Sequence, residues 1–172
     1  ETSARADLVL PEALQGWRDV VLVTAHRREN HGEPLRRICS ALARLAGDFP
    51  RVRLLYPLHP NPAVAHSARP LLGGLPNVAL TEPLPYPEMV AAMKRARAIL
   101  SDSGGVQEEA PSLDVPVLIL RGETERPEVV ERGLARLAGC DEELIYRETA
   151  AILQGETPAW YRPGPNPFGD GR

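Results

Sequence analysis

Six short apolar runs alternate along this chain with six stretches whose apolar residues recur at helical spacing. This alternation constrains the fold more than any other feature. Strand, helix and strand repeated in that order close into a parallel sheet with helices packed on its faces. Strands are expected over 19–25 (DVVLVTA), 51–58 (RVRLLYPL), 77–81 (NVALT), 98–100, 115–120 (VPVLIL) and 134–138. The almost continuous apolarity of several of them is the pattern of strands buried on both faces. Helices are expected over 33–46, 62–72, 86–96, 104–113, 127–132 and 141–154. In the first of these Leu35, Ile38, Cys39, Leu42 and Leu45 mark one face, and Gly47, Asp48 and Pro50 stop it. Asp141 is the expected N-cap of the last. The fold class is α/β, a doubly wound parallel sheet, and 172 residues suit a single domain over 1–172. Residues 158–172 hold four prolines and three glycines and read as a tail.

Composition removes whole classes of function. Apolar residues make up 43% and charged residues 25%, so the chain is neither disordered, nor a coiled coil, nor collagen-like. No run of 18 apolar residues occurs, so no membrane partner is expected. The start has no signal-peptide layout. Because the first residue is Glu1 rather than Met, the chain is expected to be one part of a larger protein. A net charge of −3 gives no reason to expect nucleic acid as a partner. Of 20 basic residues only Lys94 is lysine, an arginine excess that reads as the composition of a GC-rich genome. Cys39 and Cys140 are too sparse for a disulfide framework, which points to a reducing cytoplasm.

Doubly wound sheets bind ligands at the carboxyl ends of their strands, so chemistry is expected just after each strand. After the first comes Thr24-Ala25-His26-Arg27-Arg28-Glu29-Asn30-His31-Gly32. This is either a solvated loop or a phosphate-facing cluster. A histidine there can donate to a phosphate or act as acid or base near neutral pH, and an arginine can clasp a phosphate in a fork. After the second strand His59 sits between prolines in a rigid turn, whereas His66 belongs on a helix surface. The strongest local signal is Ser101-Asp102-Ser103-Gly104-Gly105-Val106-Gln107-Glu108-Glu109. Two glycines at a helix start let the backbone approach a phosphate or diphosphate, and Glu109 is placed to accept from ribose hydroxyls. The run lacks a Walker lysine and is not GxGxxG, and a tight turn alone would also explain its glycines. After the fifth strand, Thr124 or Glu125 is an expected cap for a helix with Pro127 in its first turn, and Arg126 would face an anionic ligand.

Four ordered motifs then resemble a known family: Thr24–Asn30 (TAHRREN), the run from Asp102 to Pro111, Thr124–Glu128 (TERPE), and Asn166–Gly171 (NPFGDG). Together, from about Val20 to Gly171, they resemble the C-terminal half of the non-hydrolysing UDP-N-acetylglucosamine 2-epimerases. The resemblance implies the C-terminal half of a glycosyltransferase-B type fold, built from two Rossmann-like domains with the active site between them. It implies an isomerase that eliminates UDP across C1–C2 of the sugar to give 2-acetamidoglucal. UDP is then added back with the opposite configuration at C2, so that UDP-N-acetylglucosamine and UDP-N-acetylmannosamine interconvert. No metal and no other cofactor is implied. Residues 1–18 would be the linker from an N-terminal domain, and the whole enzyme would be a cytoplasmic homodimer serving polysaccharide biosynthesis.

Roles follow by position. Ser103, Gly104 and Gly105 would bind the diphosphate, Glu109 the ribose, and His26 would contact the phosphates and assist departure of UDP. Arg126 would sit toward the sugar-diphosphate end. The segment from Pro83 to Met89, with Leu84, would receive the uracil, and Met89 stands where many members have Phe. In members regulated by a second UDP-N-acetylglucosamine, Arg27 and His59 would border that extra site, whose other half is not in this sequence. The carboxylates that handle the C2 proton, and an arginine near the nucleotide, belong to the family's N-terminal domain. The chain alone is therefore expected not to epimerise and to bind UDP weakly. A UDP-sugar-binding module without catalysis, or a domain of a related hydrolysing epimerase or glycosyltransferase, remains open on these residues.

Overall fold

The computed structural model describes residues 9–169. Its six strands are β1 (Asp19–Thr24), β2 (Val52–Pro57), β3 (Val78–Thr81), β4 (Ala96–Ser101), β5 (Val117–Ile119) and β6 (Ala135–Leu137). They form one sheet in the order β3-β2-β1-β4-β5-β6, with every pairing parallel. The helices are α1 (Glu33–Asp48), α2 (Pro62–Leu72), α3 (Tyr86–Arg95), α4 (Gly104–Glu109), α5 (Pro127–Glu131) and α6 (Glu142–Leu153). The expectation of a Rossmann-like doubly wound sheet therefore holds.

Strand alternation explains the two layers of core. Val21 and Val23 of β1, Leu54 and Tyr56 of β2 and Leu118 of β5 point to one face, where Leu35, Ile38 and Leu42 of α1, Val64 and Ala68 of α2 and Ile145 of α6 cover them. Val20, Leu22, Leu55, Val117 and Ile119 point to the other, under Ala92 and Met93 of α3, Val106 of α4 and Val129 of α5. Burial on both faces is what made the strands read as continuous apolar runs. The chain winds outward from β1 to β3, returns to place β4 on the other side of β1, and winds out to β6. The order of winding reverses between β1 and β4, which opens a crevice at their carboxyl ends.

Several element boundaries depart from expectation: α1 runs on through Gly47 and Asp48, which do not stop it, and ends with Phe49 as its C-cap ahead of Pro50. Strand β4 begins at Ala96, directly from α3, because Ala96 already pairs with Val20. The expected helix 104–113 divides into α4 and a 3-10 turn, Ala110–Leu113. Pro111 has no N–H to continue the α-helical ladder. Asp141 does cap α6, its side chain accepting from the Leu144 amide at 2.9 Å.

The flanks pack onto this frame. Leu14, in a 3-10 turn at Glu12–Leu14, is fully buried, and Arg53 donates to the Ala13 carbonyl while its guanidinium lies 5.0 Å over the Trp17 ring. After α6 no further helix or strand forms among the described residues. The segment is nonetheless anchored, by Trp160 Nε1 donating to Glu148 at 2.7 Å, the Arg162 amide to the Gly133 carbonyl at 2.8 Å, and Asn166 to the Glu108 carbonyl at 2.8 Å. Asp170 and Gly171, the end of the fourth motif, lie outside the described residues, as do residues 1–8 of the expected 1–18 linker. Cys39 is buried, Cys140 half-buried, and both are free thiols. No described helix is long and apolar enough to cross a membrane.

Candidate functional site

The crevice between β1 and β4 is organised by Asp102. It leaves β4 fully buried, and its Oδ2 accepts from the backbone amides of His26 (2.9 Å) and Arg27 (2.8 Å) and from Asn30 Nδ2 (2.9 Å). Asn30 also donates to the Leu120 carbonyl at 2.9 Å, so one buried carboxylate and one buried amide fix the loop after β1 to the ends of β4 and β5. Below them Thr24 and Ser101 hydroxyls are 2.6 Å apart, and Ser101 Oγ accepts from the Ser103 amide at 3.0 Å. The start of α4 is thereby held against the end of β1.

His26 is the side chain this framework presents. Its Nδ1 lies 3.4 Å from Asp102 Oδ1, and its ring stacks on His59 with centroids 5.1 Å apart and planes 8° from parallel. His31 approaches the His26 carbonyl with Nε2 at 3.1 Å. Burial holds the His26 imidazole below its ordinary value near 6.5. Asp102 opposes that shift, while His59, Arg27 and His31 add to it.

His26 and His59 line a cavity of about 200 Å³ together with Thr24, Pro57, Leu58, Pro60, Pro83, Leu84, Met89, Ser103 and Val106. Five residues singled out from sequence (His26, His59, Leu84, Met89 and Ser103) thus meet in one concavity, apolar at the Leu84–Met89 end and polar at the His26–Ser103 end. Glu109 does not line this cavity; it lines a second hollow of about 350 Å³ with Tyr86, Val90, Asn166 and Phe168. There Glu109 Oε2 accepts from the Tyr86 hydroxyl at 2.9 Å.

Arg126 crosses the start of α4. A Cβ at Gly104 would stand 2.7 Å from its Nη1, whereas one at Gly105 would find nothing nearer than Ser103 Oγ at 3.9 Å. The guanidinium is held by Glu108 and approached by Glu125 at 3.5 Å. Neither Thr124 nor Glu125 caps α5, since Arg126 occupies the N-cap position. Thr124 instead donates to Gln107 at 2.6 Å and accepts from the Arg126 amide at 3.1 Å, which ties the loop after β5 to α4. Arg27 is anchored through its backbone, and its side chain is half-buried. His66 is exposed on α2.

Sequence reasoning gave no role to Asp102, Asn30, Gln107, Glu108, Tyr86 or Asn166. A carboxylate ending a strand too apolar to be exposed was the available signal for Asp102, because a buried carboxylate needs several donors. The others are visible only once β1, β4 and β5 lie side by side. No group of three or more His, Cys, Asp or Glu placed to share a metal ion occurs among the described residues.

A sequence profile described as UDP-N-acetylglucosamine 2-epimerase matches residues 2–172. The chain is 46% identical over 155 residues to the UDP-N-acetylglucosamine 2-epimerase of Bacillus subtilis, covering 88% of this chain and 40% of that protein. It superposes with a TM-score of 0.77 and 41% identity on a UDP-GlcNAc 2-epimerase from Neisseria meningitidis bound to UDP-GlcNAc, covering 85% of this chain and 42% of that one. Against the Methanocaldococcus jannaschii UDP-GlcNAc 2-epimerase in complex with UDP-GlcNAc and UDP, the TM-score is 0.77 at 32% identity, with 90% and 42% covered. The chain thus spans about two-fifths of the length of the relatives it matches.

Proposed function

The chain belongs to the UDP-N-acetylglucosamine 2-epimerase family, and on that premise we propose that it is the nucleotide-binding half of an enzyme interconverting UDP-N-acetylglucosamine and UDP-N-acetylmannosamine. One observation carries the reading: His26 from the β1 end and Ser103 from the β4 end face the same cavity at the sheet's switch point. That is where this class of sheet takes a nucleotide.

In this reading the diphosphate lies across Ser103, Gly104 and Gly105, with Arg126 beside it, and the ribose hydroxyls donate to Glu109. The uracil lies at the Leu84–Met89 end. Met89, a thioether where a ring is common in the family, gives a softer contact with the base. A base supplied by a partner domain removes the C2 proton of the sugar. The C1–O bond breaks with its electron pair going to the β-phosphate oxygen, and His26 assists that departure. Reversal on the other face of C2 gives the epimer. Arg27 and His59 border a second nucleotide-sugar site in the same reading, and the stacking of His59 on His26 supports communication between the two. The whole enzyme is a cytoplasmic homodimer serving polysaccharide biosynthesis, and the two free thiols fit a reducing compartment.

The test is direct. Full-length protein containing this sequence should convert UDP-N-acetylglucosamine to UDP-N-acetylmannosamine, while the 172-residue chain should bind UDP weakly and not turn over. His26→Ala in the full-length protein should slow UDP elimination, and a normal rate would remove His26 from the mechanism. UDP binding without turnover by the full-length protein would favour a non-catalytic module.

A further inference from the structure

We propose that Asp102 is a positioning residue for His26, fixing a proton on Nδ1 so that Nε2 faces the cavity and can carry the proton that leaves with UDP. The proposal rests on the reading of His26 given above.

Two separate features of the buried carboxylate support it. Its Oδ2 is spent on the loop, with three donors at 2.8 to 2.9 Å. Its Oδ1 has no hydrogen-bond partner among the described residues, although Asp102 is fully buried. A bare carboxylate oxygen in that position is costly, and the nearest candidate donor is His26 Nδ1 at 3.4 Å. A small ring movement closes the gap, and hydrogen bonds of this kind commonly tighten only when substrate is bound. Structural need alone accounts for Oδ2 and leaves Oδ1 unexplained.

The chemistry follows from the geometry. With Nδ1–H directed at Asp102, neutral His26 offers only a lone pair at Nε2, so it donates at the cavity only as imidazolium. The groups facing it are Asp102 from β4, His59 from the turn after β2, and Arg27 and His31 from its own loop. Of these, Asp102 is the one that favours the imidazolium. When the C1–O bond breaks, its electron pair moves to the β-phosphate oxygen and the Nε2 proton passes to that oxygen. His26 is left neutral, still donating from Nδ1 to Asp102. On re-addition the proton returns to Nε2.

Asp102→Asn separates this role from that of a staple. The asparagine oxygen can keep the three donors of Oδ2, while its NH2 replaces Oδ1 and donates to Nδ1, which forces the Nε2–H tautomer. In the unsubstituted chain at about pH 8, nitrogen-15 NMR should show His26 as the Nδ1–H tautomer, and in the variant as Nε2–H with a lower pKa. In the full-length protein the variant's kcat at about pH 8 should fall roughly 100-fold and its basic limb should move to lower pH, with KM within about threefold. An Nε2–H tautomer in the unsubstituted chain would overturn the proposal, and this measurement decides it even if the variant fails to fold. A variant that only lowers Tm, with tautomer and pH profile unchanged, also overturns it. Full activity in His26→Ala would instead refute the role given to His26, while leaving the tautomer result intact.

Discussion

The guanidinium of Arg126 lies over Gly104, with Nη1 only 2.7 Å from where a Cβ at that glycine would stand. Only the absence of a side chain lets the arginine rest on the start of α4 and meet Glu108. Gly104→Ala must displace Arg126, but only the far end of a flexible side chain has to move. We expect Tm to change by less than about 3 °C, or roughly 1 kcal/mol for a chain of this size. UDP affinity of the full-length protein should fall about tenfold, the order of one charged hydrogen bond. Gly105→Ala meets no protein atom closer than 3.9 Å, so any loss of affinity there reports the approach of the ligand itself. Calorimetry showing unchanged UDP binding in both variants would remove the glycines from the diphosphate site.

Glu109 is already engaged, by the hydroxyl of exposed Tyr86 at 2.9 Å. Ribose hydroxyls would have to share or displace that donor. Glu109→Ala should weaken UDP binding by about 10- to 100-fold, the range for hydrogen bonds to a charged group. Tyr86→Phe should leave affinity within about threefold, since a competing donor is lost together with any support it gave. The two effects should vanish with a UDP analogue lacking both ribose hydroxyls. If Glu109→Ala weakens the analogue equally, the carboxylate acts on some other part of the ligand.

Burial holds His26 below the value near 6.5 that it has in an unfolded chain, which makes stability depend on pH with a definite sign. Between the two values the unfolded chain binds more protons at this site than the folded one, so stability rises with pH through that window. Above about 6.5 both states are neutral and the contribution is flat; below the folded value the loss is complete. His26→Gln removes this slope and leaves those of the other histidines. Urea midpoints measured from about pH 5 to 8 should therefore converge toward the acid end in the two proteins. Parallel curves would show that burial does not outweigh Asp102 and that His26 is not lowered on balance.

The sheet and the location of the site could be read from the residues because both depend on local pattern. Runs such as 19–25 and 115–120 are apolar enough to require burial on both faces, and their alternation with helical stretches points to a parallel sheet. Ser103, Gly104 and His26 could then be placed at its carboxyl edge. What could not be read depends on which strand ends become neighbours. Asp102 and His26 are 76 positions apart, and their contact follows from β4 returning to lie beside β1. Pairing Thr124 with Gln107 rather than with a helix end is likewise a consequence of α4 and the β5 loop converging. The split of α4 was the exception: Pro111 was a local signal for it.

Gly133 shows how the segment after α6 is tied to the rest. Its φ of +72° is unfavourable for any side chain, and a Cβ there would stand 2.5 Å from the Trp160 carbonyl oxygen. Backbone cannot yield as Arg126 can, so Gly133→Ala should cost about 2–4 kcal/mol or release the segment. Release would break the Trp160–Glu148 hydrogen bond and expose the Trp160–Tyr161 bond. It would also loosen Asn166, which holds Glu108, the residue that in turn holds Arg126. We expect red-shifted tryptophan emission against the steady background of Trp17, faster chymotryptic cleavage near residue 160, and weaker UDP binding by the full-length protein. If emission shifts and cleavage accelerates while UDP binding is unchanged, the segment is a local clasp with no bearing on the site. If neither changes, the close approach of Gly133 and Trp160 does not anchor it.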